Sequence, residues 1–480
     1  MFDRVEIDMQ KLYEALEKLC KTPGPTQACV KVSANDPRIS DEFPMEKAIR
    51  EVIKDVNKEL KGDKGSEKPR LLIIRHMGNL IIVGGLRELE NVNYEEAEII
   101  DADKLINDKS LIEFKTKIKN IPIIFGAHLD EITYLFTNKL SNLMDGAYEI
   151  LPICNPPKLT EIDVMKPNER LQHIKNNKLE VNVDGKEDGK KVILLIDRLL
   201  NSKCKIFGFR SMSFIKIGEG EIHRVKEIKK ITRRRGGKLT TRYEITNYNN
   251  KFLVKVTSKN ENSDIKAGDI IIQDYFEKSV EKGILKSKAL DDRVGCLACI
   301  YAVKELSRRM IPAKAILTSS EEGVPEDVSW GRFARATYKE FCNDETVTIV
   351  CDGMDGKNLN EFKDKKECLS QAVIVPYTSN GKGGGDFGIF SLLRDEILPK
   401  LNDTCNFKIA VATTDYSSRS YEVKIMDRWT LIGFVQWTCG PPGDPKSICH
   451  NEETVSISQV ANIITTFVCI GEYFFNRDKR

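Results

Sequence analysis

The feature that most constrains the fold is a recurring pattern in which a short apolar run ends in a carboxylate or a histidine. Runs this short, bounded by polar residues and rich in β-branched side chains, are typical of fully buried strands. The pattern occurs four times: 121–127 leads to His128, 313–318 to the pair Glu321 and Glu322, 347–351 to Asp352, and 431–439 to His450.

An amphipathic helix is predicted between the first two of these strands. It starts at the triplet Asp291, Asp292 and Arg293, after which apolar residues recur at three- and four-residue steps. Alternation of buried strands with amphipathic helices is typical of an α/β domain. We therefore predict a mixed, mostly parallel sheet flanked by helices.

The interval between His128 and Asp291 lacks this alternation and holds short apolar runs broken by turns and charged loops. A chain of 480 residues also exceeds what one hydrophobic core usually organises. We predict an α/β domain in two parts, 1–132 and 285–480, around an inserted small β domain at 133–284. A charged stretch at about 87–120 is predicted to be an insertion within the first part.

Net charge and apolar patterning limit the partners of the chain. The net charge of +3 gives no general reason to expect nucleic acid or an anionic membrane. No uninterrupted apolar run reaches the length of about eighteen residues that a membrane helix needs. The first residues mix charged and apolar side chains, which does not fit a signal peptide. We predict no membrane span and consider nucleic acid an unlikely partner.

Cysteine usage indicates a reducing compartment. The 13 cysteines are an odd number scattered along a chain large enough to be stable without disulfides. A cytoplasmic location follows as a prediction. The one close pair, Cys296 and Cys299, has no second pair at zinc-finger spacing, so we interpret both as small apolar residues of a buried helix.

The polar residues at the strand ends form a candidate metal site, because open α/β sheets bind ligands beyond the carboxyl ends of their strands. Two neighbouring metal ions need a bridging carboxylate and a terminal nitrogen or oxygen ligand on each. One member of the pair Asp291–Asp292, and one of Glu321–Glu322, can bind metal while its neighbour does something else. A carboxylate that faces the attacking water can act as general base and then as general acid.

Asp130 has a separate predicted role beside His128. A ligating imidazole usually donates its other N–H to a carboxylate that fixes its tautomer, and residues two apart along an extended strand point the same way. Simpler interpretations stay open at this point: Asp291 and Asp292 are also common residues for a helix N-terminus. Likewise, Glu321 and Glu322 are common in a solvated loop.

These motifs, in this order, resemble the dinuclear metal aminopeptidase family of the tetrahedral and glutamyl aminopeptidases. The motifs that carry the resemblance are Ala-His-Leu-Asp-Glu at 127–131, Lys-Ala-Leu-Asp-Asp-Arg-Val-Gly-Cys at 288–296, Glu-Glu-Gly at 321–323, Asp352 and His450. Shorter similarities lie at 22–26, 78–80, 267–269 and 414–415.

The resemblance implies a zinc exopeptidase-like fold with a β-barrel-like domain inserted after the histidine motif. It implies two divalent ions per chain, zinc or else cobalt or manganese, that are bridged by Asp291. His128 and Asp352 would complete one metal site, Glu322 and His450 the other, and Glu321 would be the catalytic base. Peptides would be the substrates, and homo-oligomers from dimers to hollow dodecamers would be expected.

Two alternatives from other functional classes remain. The paired carboxylates can serve as acid and base of a glycosidase, although that leaves both histidines and Asp291 unexplained. Residues 229–238 carry six positive charges and no acidic residue, a composition that can bind phosphates in a non-catalytic, nucleic-acid-binding relative. We predict instead that 229–238 is a solvated loop, because no aromatic residue in it can stack on bases.

Overall fold

The computed structural model describes eighteen stretches of the chain, and the structural statements below concern these residues. They are 5–25, 43–62, 70–86, 98–102, 109–131, 133–152, 180–182, 192–210, 213–235, 238–260, 264–279, 283–319, 332–354, 372–375, 387–401, 407–409, 431–438 and 453–477.

Helices and strands alternate through most of these stretches. The helices are α1 Met9–Lys21, α2 Pro44–Gly62, α3 Lys109–Lys119, α4 Leu290–Arg308, α5 Arg332–Phe341, α6 Phe387–Leu392, α7 Leu398–Leu401 and α8 Ile457–Arg477, with a π-helical turn Leu393–Ile397 between α6 and α7. The strands are β1 Leu72–His76, β2 Asn79–Gly84, β3 Ile99–Asp101, β4 Ile123–His128, β5 Tyr134–Leu140, β6 Ala147–Pro152, β7 Glu180–Asn182, β8 Val192–Arg210, β9 Ser213–Arg235, β10 Lys238–Lys259, β11 Ile270–Gln273, β12 Phe276–Ser279, β13 Ile284–Ser287, β14 Ala313–Thr318, β15 Val347–Val350, β16 Gly353–Met354, β17 Ala372–Val375, β18 Phe407–Ile409, β19 Leu431–Thr438 and β20 Glu453–Ser456.

The chain divides into two compact units. The first contains 1–131 and 276–480, and the second contains 132–275. The second unit ends before residue 284, where the sequence placed the end of the inserted domain. The reason is that β12 and β13 form a hairpin whose second strand pairs with β20 of the first unit.

The first unit is built on a ten-stranded sheet, whose main path runs in the order β18-β17-β19-β15-β4-β14-β2-β1-β3. Strand β4 lies between β14 and β15 and is parallel to both. Antiparallel pairings occur at β1–β2, β2–β14 and β17–β19. The predicted mixed, mostly parallel sheet is therefore confirmed.

Helices cover both faces of this sheet, as a sheet of buried parallel strands requires. On one face, α1, α2, α4 and α8 share a core with alternate strand residues such as Ile82, Phe125 and Ala315. Phe125 of β4 stacks on Phe467 of α8, with ring centroids 4.6 Å apart. Because side chains alternate along a strand, Lys314 points to the opposite face, where it meets the ends of α3 and α5.

Helix α8 is long and apolar enough, by length and composition, to cross a membrane. Its most apolar stretch has a mean hydropathy of 1.2, and 72% of that stretch is buried inside the protein. Such burial is typical of a core helix, and residues along its length belong to the core shared with α4.

The second unit contains a closed six-stranded barrel in the order β11-β5-β6-β10-β9-β8, and β8 pairs back with β11. Apolar side chains such as Phe136, Ile206 and Val254 fill its interior. This confirms the predicted β-barrel-like domain. The prediction of a solvated loop at 229–238 is wrong for its described residues, because 229–235 and Lys238 are strand residues of the β9–β10 hairpin.

The charged stretch at 87–120, predicted to be an insertion, supplies two elements of the first unit. Strand β3 pairs in parallel with β1 at the edge of the main sheet. Helix α3 carries buried Phe114 and Ile118 on one side. Its short length and high charge conceal this amphipathic pattern in the sequence.

Lys314 joins two helix ends to the central sheet. Its ammonium group donates to the carbonyls of Ile118 and Lys119 at the end of α3 (3.0 and 3.2 Å) and of Phe341 at the end of α5 (2.7 Å). Helix C-termini leave such carbonyls without intrahelical partners and carry partial negative charge. Complete burial lowers the pKa of Lys314 to about 8. Desolvation of the ammonium group therefore offsets part of the stabilisation that its three hydrogen bonds provide.

Replacing Lys314 by methionine tests this bracing. We expect Lys314→Met to lower the free energy of unfolding at pH 7 by about 1–3 kcal/mol, because buried carbonyls lose their donor. The difference between wild type and variant should then grow between pH 8 and 10.5. In that window the unfolded state still holds the lysine proton and the folded state has released it, which favours folding as the pH rises.

Urea unfolding of both proteins at several pH values measures this. A gap that shrinks above pH 8, or a variant as stable as wild type, would contradict the assigned role.

Candidate metal centre

Three site residues of the first unit meet where β4 and β15 end and α4 begins. His128 is the last residue of β4, Asp352 follows β15, and Asp291 lies in the first turn of α4. His128 Nε2 is 3.4 Å from Asp291 Oδ1 and 3.8 Å from Asp352 Oδ1. One ligand atom from each residue lies within 4.8 Å of the other two.

This donor set suits a divalent metal ion. Ligands about 2.05 Å from a tetrahedral zinc ion lie about 3.3 Å from one another, close to the observed 3.4 Å between His128 and Asp291. Two carboxylates converging on a buried imidazole also repel each other unless a cation lies between them.

Asp130 lies on the other side of the imidazole. Its Oδ1 is 3.5 Å from His128 Nδ1, and both side chains are almost completely buried. A carboxylate in this position favours the tautomer in which Nδ1 carries the proton and Nε2 is free to bind a metal. The role of Asp130 inferred from this spacing in the sequence stays a prediction.

The start of α4 gives its two aspartates different jobs. The peptide bond between them is cis, and both have non-helical backbone angles. Asp292 turns inward, where its Oδ1 accepts from the backbone N–H of Gly295 at 2.9 Å, as an N-cap residue does. A Cβ on Gly295 would lie 2.2 Å from Asp292 Oδ2, so a larger residue there would displace the Asp292 carboxylate from this position. Capping by Asp292 leaves Asp291 to face His128.

Backbone and side-chain contacts fix the two carboxylates that face His128. The N–H of Gly353 donates to Asp352 Oδ1 at 2.7 Å and lies 3.3 Å from Asp291 Oδ1. The N–H of Asp291 donates to the buried carboxylate of Glu453 at 2.7 Å. Burial and the neighbouring Asp291 carboxylate raise the pKa of Glu453 well above its usual range.

A buried ion-paired cluster beside the site was not predicted. Glu131 accepts from Lys288 Nζ at 2.5 Å and from the backbone N–H of Gly24 at 2.7 Å. Arg293 Nη2 lies 3.6 Å from the same carboxylate, and its side chain is completely buried. Glu131 therefore ties together the end of β4, the segment before α4 and the segment after α1.

Gly24 has a steric reason to be glycine in this cluster. A Cβ there would lie 2.1 Å from Arg293 Nη2 and 2.9 Å from the carbonyl oxygen of Leu129. The sequence contains the relevant signal, since Glu131, Lys288 and Arg293 lie within or beside the metal-ligand motifs. Only the fold shows that their charges are buried together.

Four predicted site residues are described by the structure, and three are not. His128, Asp130, Asp291 and Asp352 lie together as set out above. Their roles remain proposals. Glu321, Glu322 and His450 lie outside the described residues. The predicted apolar role of Cys296 and Cys299 fits their complete burial in α4, and Cys296 Sγ also lies 3.0 Å from the carbonyl oxygen of His128.

Comparison with known proteins finds similarity to aminopeptidases. A model of the M42 glutamyl aminopeptidase family matches residues 215–332, which include Asp291 and the Glu321–Glu322 pair. The predicted resemblance to the tetrahedral and glutamyl aminopeptidases is confirmed. Comparison with curated proteins gives no match.

Solved structures of aminopeptidases share the fold at low sequence identity. A TET aminopeptidase from a marine-sediment archaeon of the Thaumarchaeota is 11% identical, with 96% of each chain covered and a TM-score of 0.54. An aminopeptidase from the archaeon Desulfurococcus kamchatkensis is 14% identical, with 97% of this chain and 95% of that chain covered and a TM-score of 0.53. The Pyrococcus horikoshii TET1 peptidase, which can assemble into a tetrahedron or a large octahedral shell, is 14% identical, with 96% and 99% covered and a TM-score of 0.50.

The ion-paired cluster predicts a large effect of a small change. Glu131→Gln keeps the size of the side chain but removes the negative charge between Lys288 and Arg293. Breaking a buried ion pair in this way leaves uncompensated charge and should lower the free energy of unfolding by about 3–5 kcal/mol. Urea unfolding at pH 7 gives the value.

Glu59 offers a matched control in the same unit. It also accepts from two lysines, Lys304 at 2.5 Å and Lys11 at 2.9 Å, but its side chain is 27% exposed and that of Lys11 is 51% exposed. Glu59→Gln should therefore cost about 1 kcal/mol or less. If both variants lose the same free energy of unfolding, the Glu131 cluster contributes no more to stability than a partly exposed ion pair.

Proposed function

We propose that the chain is a metal-dependent aminopeptidase that hydrolyses N-terminal residues from peptides and uses Glu321 as general base. The observation that carries this proposal is the convergence of His128, Asp291 and Asp352 where the parallel strands β4 and β15 end and α4 begins. The match to the M42 glutamyl aminopeptidase family over 215–332 supports the same activity.

The described residues would hold one divalent ion through His128 Nε2 and the carboxylates of Asp291 and Asp352. We propose a second ion that shares Asp291 and is completed by Glu322 and His450, with zinc as the metal and cobalt or manganese as substitutes. When bound, such ions activate water and polarise the scissile carbonyl.

The protein's own groups move the protons and hold the ligands in place. Glu321 would take a proton from the attacking water and deliver it to the leaving amine. Asp130 holds His128 in the tautomer that presents Nε2 to the site. The N–H of Gly353 contacts both carboxylates and so limits their rotation.

A peptidase explains the site better than the two alternatives. A glycosidase needs two carboxyl groups, one of them protonated, and gives no role to His128 between Asp291 and Asp352. Binding of nucleic acid through 229–238 would give no role to the cluster of His128, Asp291 and Asp352. We therefore also propose peptides as substrates and no nucleic-acid partner.

Assembly and location are further proposals. We propose that the chain forms homo-oligomers, at least dimers, because the resemblance is to enzymes of which one, the Pyrococcus TET1 peptidase, assembles into closed shells. A reducing, cytoplasmic location is proposed because the cysteines that the structure describes are buried and none of them forms a disulfide.

Two measurements on the same purified protein test the proposed activity: turnover of aminoacyl substrates and bound metal per chain. Wild type should hydrolyse N-terminal residues and lose activity to a chelator. Glu321→Gln cannot accept the water's proton, so its metal content should stay near normal while turnover falls by about 10²–10⁴.

Glu322→Gln is the matched variant, with the same change one residue along the chain. It should weaken metal binding and recover part of its activity in excess metal, because mass action refills a weakened site. If Glu321→Gln keeps turnover within a few-fold of wild type, the assigned base is wrong.

A further inference from the structure

Asn79 lies at the point where the main sheet stops pairing beside the site. The antiparallel ladder between β2 and β14 runs as far as the pair Leu80 and Leu317. Beyond it, β2 turns into the hairpin at Met77 and Gly78, both of which have positive φ. The backbone of β2 therefore leaves β14 just before the chain reaches the Glu321–Glu322 pair.

The side chain of Asn79 supplies the hydrogen bond that the β2–β14 ladder no longer provides at Ser319. Its Oδ1 accepts from the backbone N–H of Ser319 at 3.1 Å and lies 3.4 Å from the Ser319 hydroxyl. Because a backbone N–H can only donate, the amide oxygen must face Ser319 and the amide nitrogen must face away. Asn79 is completely buried, so the bond is shielded from competing water.

The other end of the amide is anchored in α5. Asn79 Nδ2 donates to the hydroxyl of Thr337 at 2.9 Å. That hydroxyl also lies 2.8 Å from His76 Nδ1 and 3.3 Å from the His76 carbonyl oxygen. Thr337 is completely buried too. Asn79 is therefore held on both sides and cannot rotate without breaking several hydrogen bonds.

The opposite edge of β14 is held by β4. The N–H of Leu129 donates to the carbonyl of Thr318 at 2.6 Å, and Thr318 pairs with His128 in the strand register. Strand β14 thus ends between the ligand strand on one side and Asn79 on the other. Only two peptide units separate Ser319 from Glu321.

We infer that Asn79 is a positioning residue that fixes the end of β14 at Ser319, two residues before the proposed base Glu321, and that turnover depends on this hydrogen bond. This inference rests on the proposed peptidase function. It assigns Asn79 no contact with substrate. Its effect on turnover comes through the end of β14, because a misplacement of about 1 Å near an active site can cost about 10²-fold in rate.

Asn57 provides a matched control. It is also a buried asparagine of the first unit that bridges backbone groups: its Oδ1 accepts from the Leu71 N–H at 2.7 Å, and its Nδ2 donates to the Leu71 carbonyl at 3.1 Å. It lies in α2, and its two hydrogen bonds to Leu71 involve none of the site residues that the structure describes. Asn57→Ala and Asn79→Ala should therefore cost similar stability.

The test compares kcat, KM and amide hydrogen exchange in these variants of the full chain. We expect Asn79→Ala to lower kcat by about 10–100-fold with little change in KM, whereas Asn57→Ala keeps both. Exchange should rise in peptides that contain Ser319 for Asn79→Ala only. Thr337→Val, which removes only the anchor of the amide, should show a smaller fall in kcat and serves if Asn79→Ala does not fold.

The outcomes separate this inference from the proposed function. Suppose that the wild type is active. If Asn79→Ala and Thr337→Val then have the same kcat as the control Asn57→Ala, the positioning role is overturned. Unchanged exchange at Ser319 in Asn79→Ala would overturn it as well, whatever the activity. A wild-type protein that hydrolyses no peptide refutes the proposed function, and exchange then still decides whether Asn79 holds this segment.

Discussion

The site depends on one buried carboxylate that lies between two buried cations. Glu131 joins Lys288, Arg293 and the backbone of Gly24. Glu131 follows His128 and Asp130 in the chain, and Lys288 and Arg293 lie on either side of Asp291. Buried charges are tolerated only when they are paired and hydrogen-bonded, so these segments cannot separate without a large cost. The convergence of His128 and Asp291 is therefore supported from outside the ligand set, as precise metal sites require.

The same principle recurs at other strand ends of the first unit. Lys314 satisfies the carbonyls of two helix ends, and Asn79 satisfies a backbone N–H where a strand turns away. In each case a buried polar side chain completes hydrogen bonding that the regular ladder or helix cannot supply. Lys314 holds β14 near its amino end, and Asn79 holds the carboxyl end, which is the end that pairs with His128.

The sequence predicted the architecture because its strongest signal was local. Apolar runs that end in His128 and Asp352, together with the helix that starts near Asp291, are local patterns. They predict the α/β class without knowledge of which distant residues meet. The strand status of 229–235 and the helix within 87–120 were missed because charged residues hid the apolar alternation. The Glu131 cluster could not be predicted, because pairing between Gly24, Glu131 and Lys288 depends on how distant segments meet.

The most direct test of the central claim is anomalous scattering at the zinc edge from crystals grown with zinc. The account predicts a peak about 2 Å from His128 Nε2 and from carboxylate oxygens of Asp291 and Asp352. A second peak about 3.5–4 Å from the first is expected if two ions share Asp291. Fully zinc-saturated crystals with no anomalous peak among these three side chains would contradict the account.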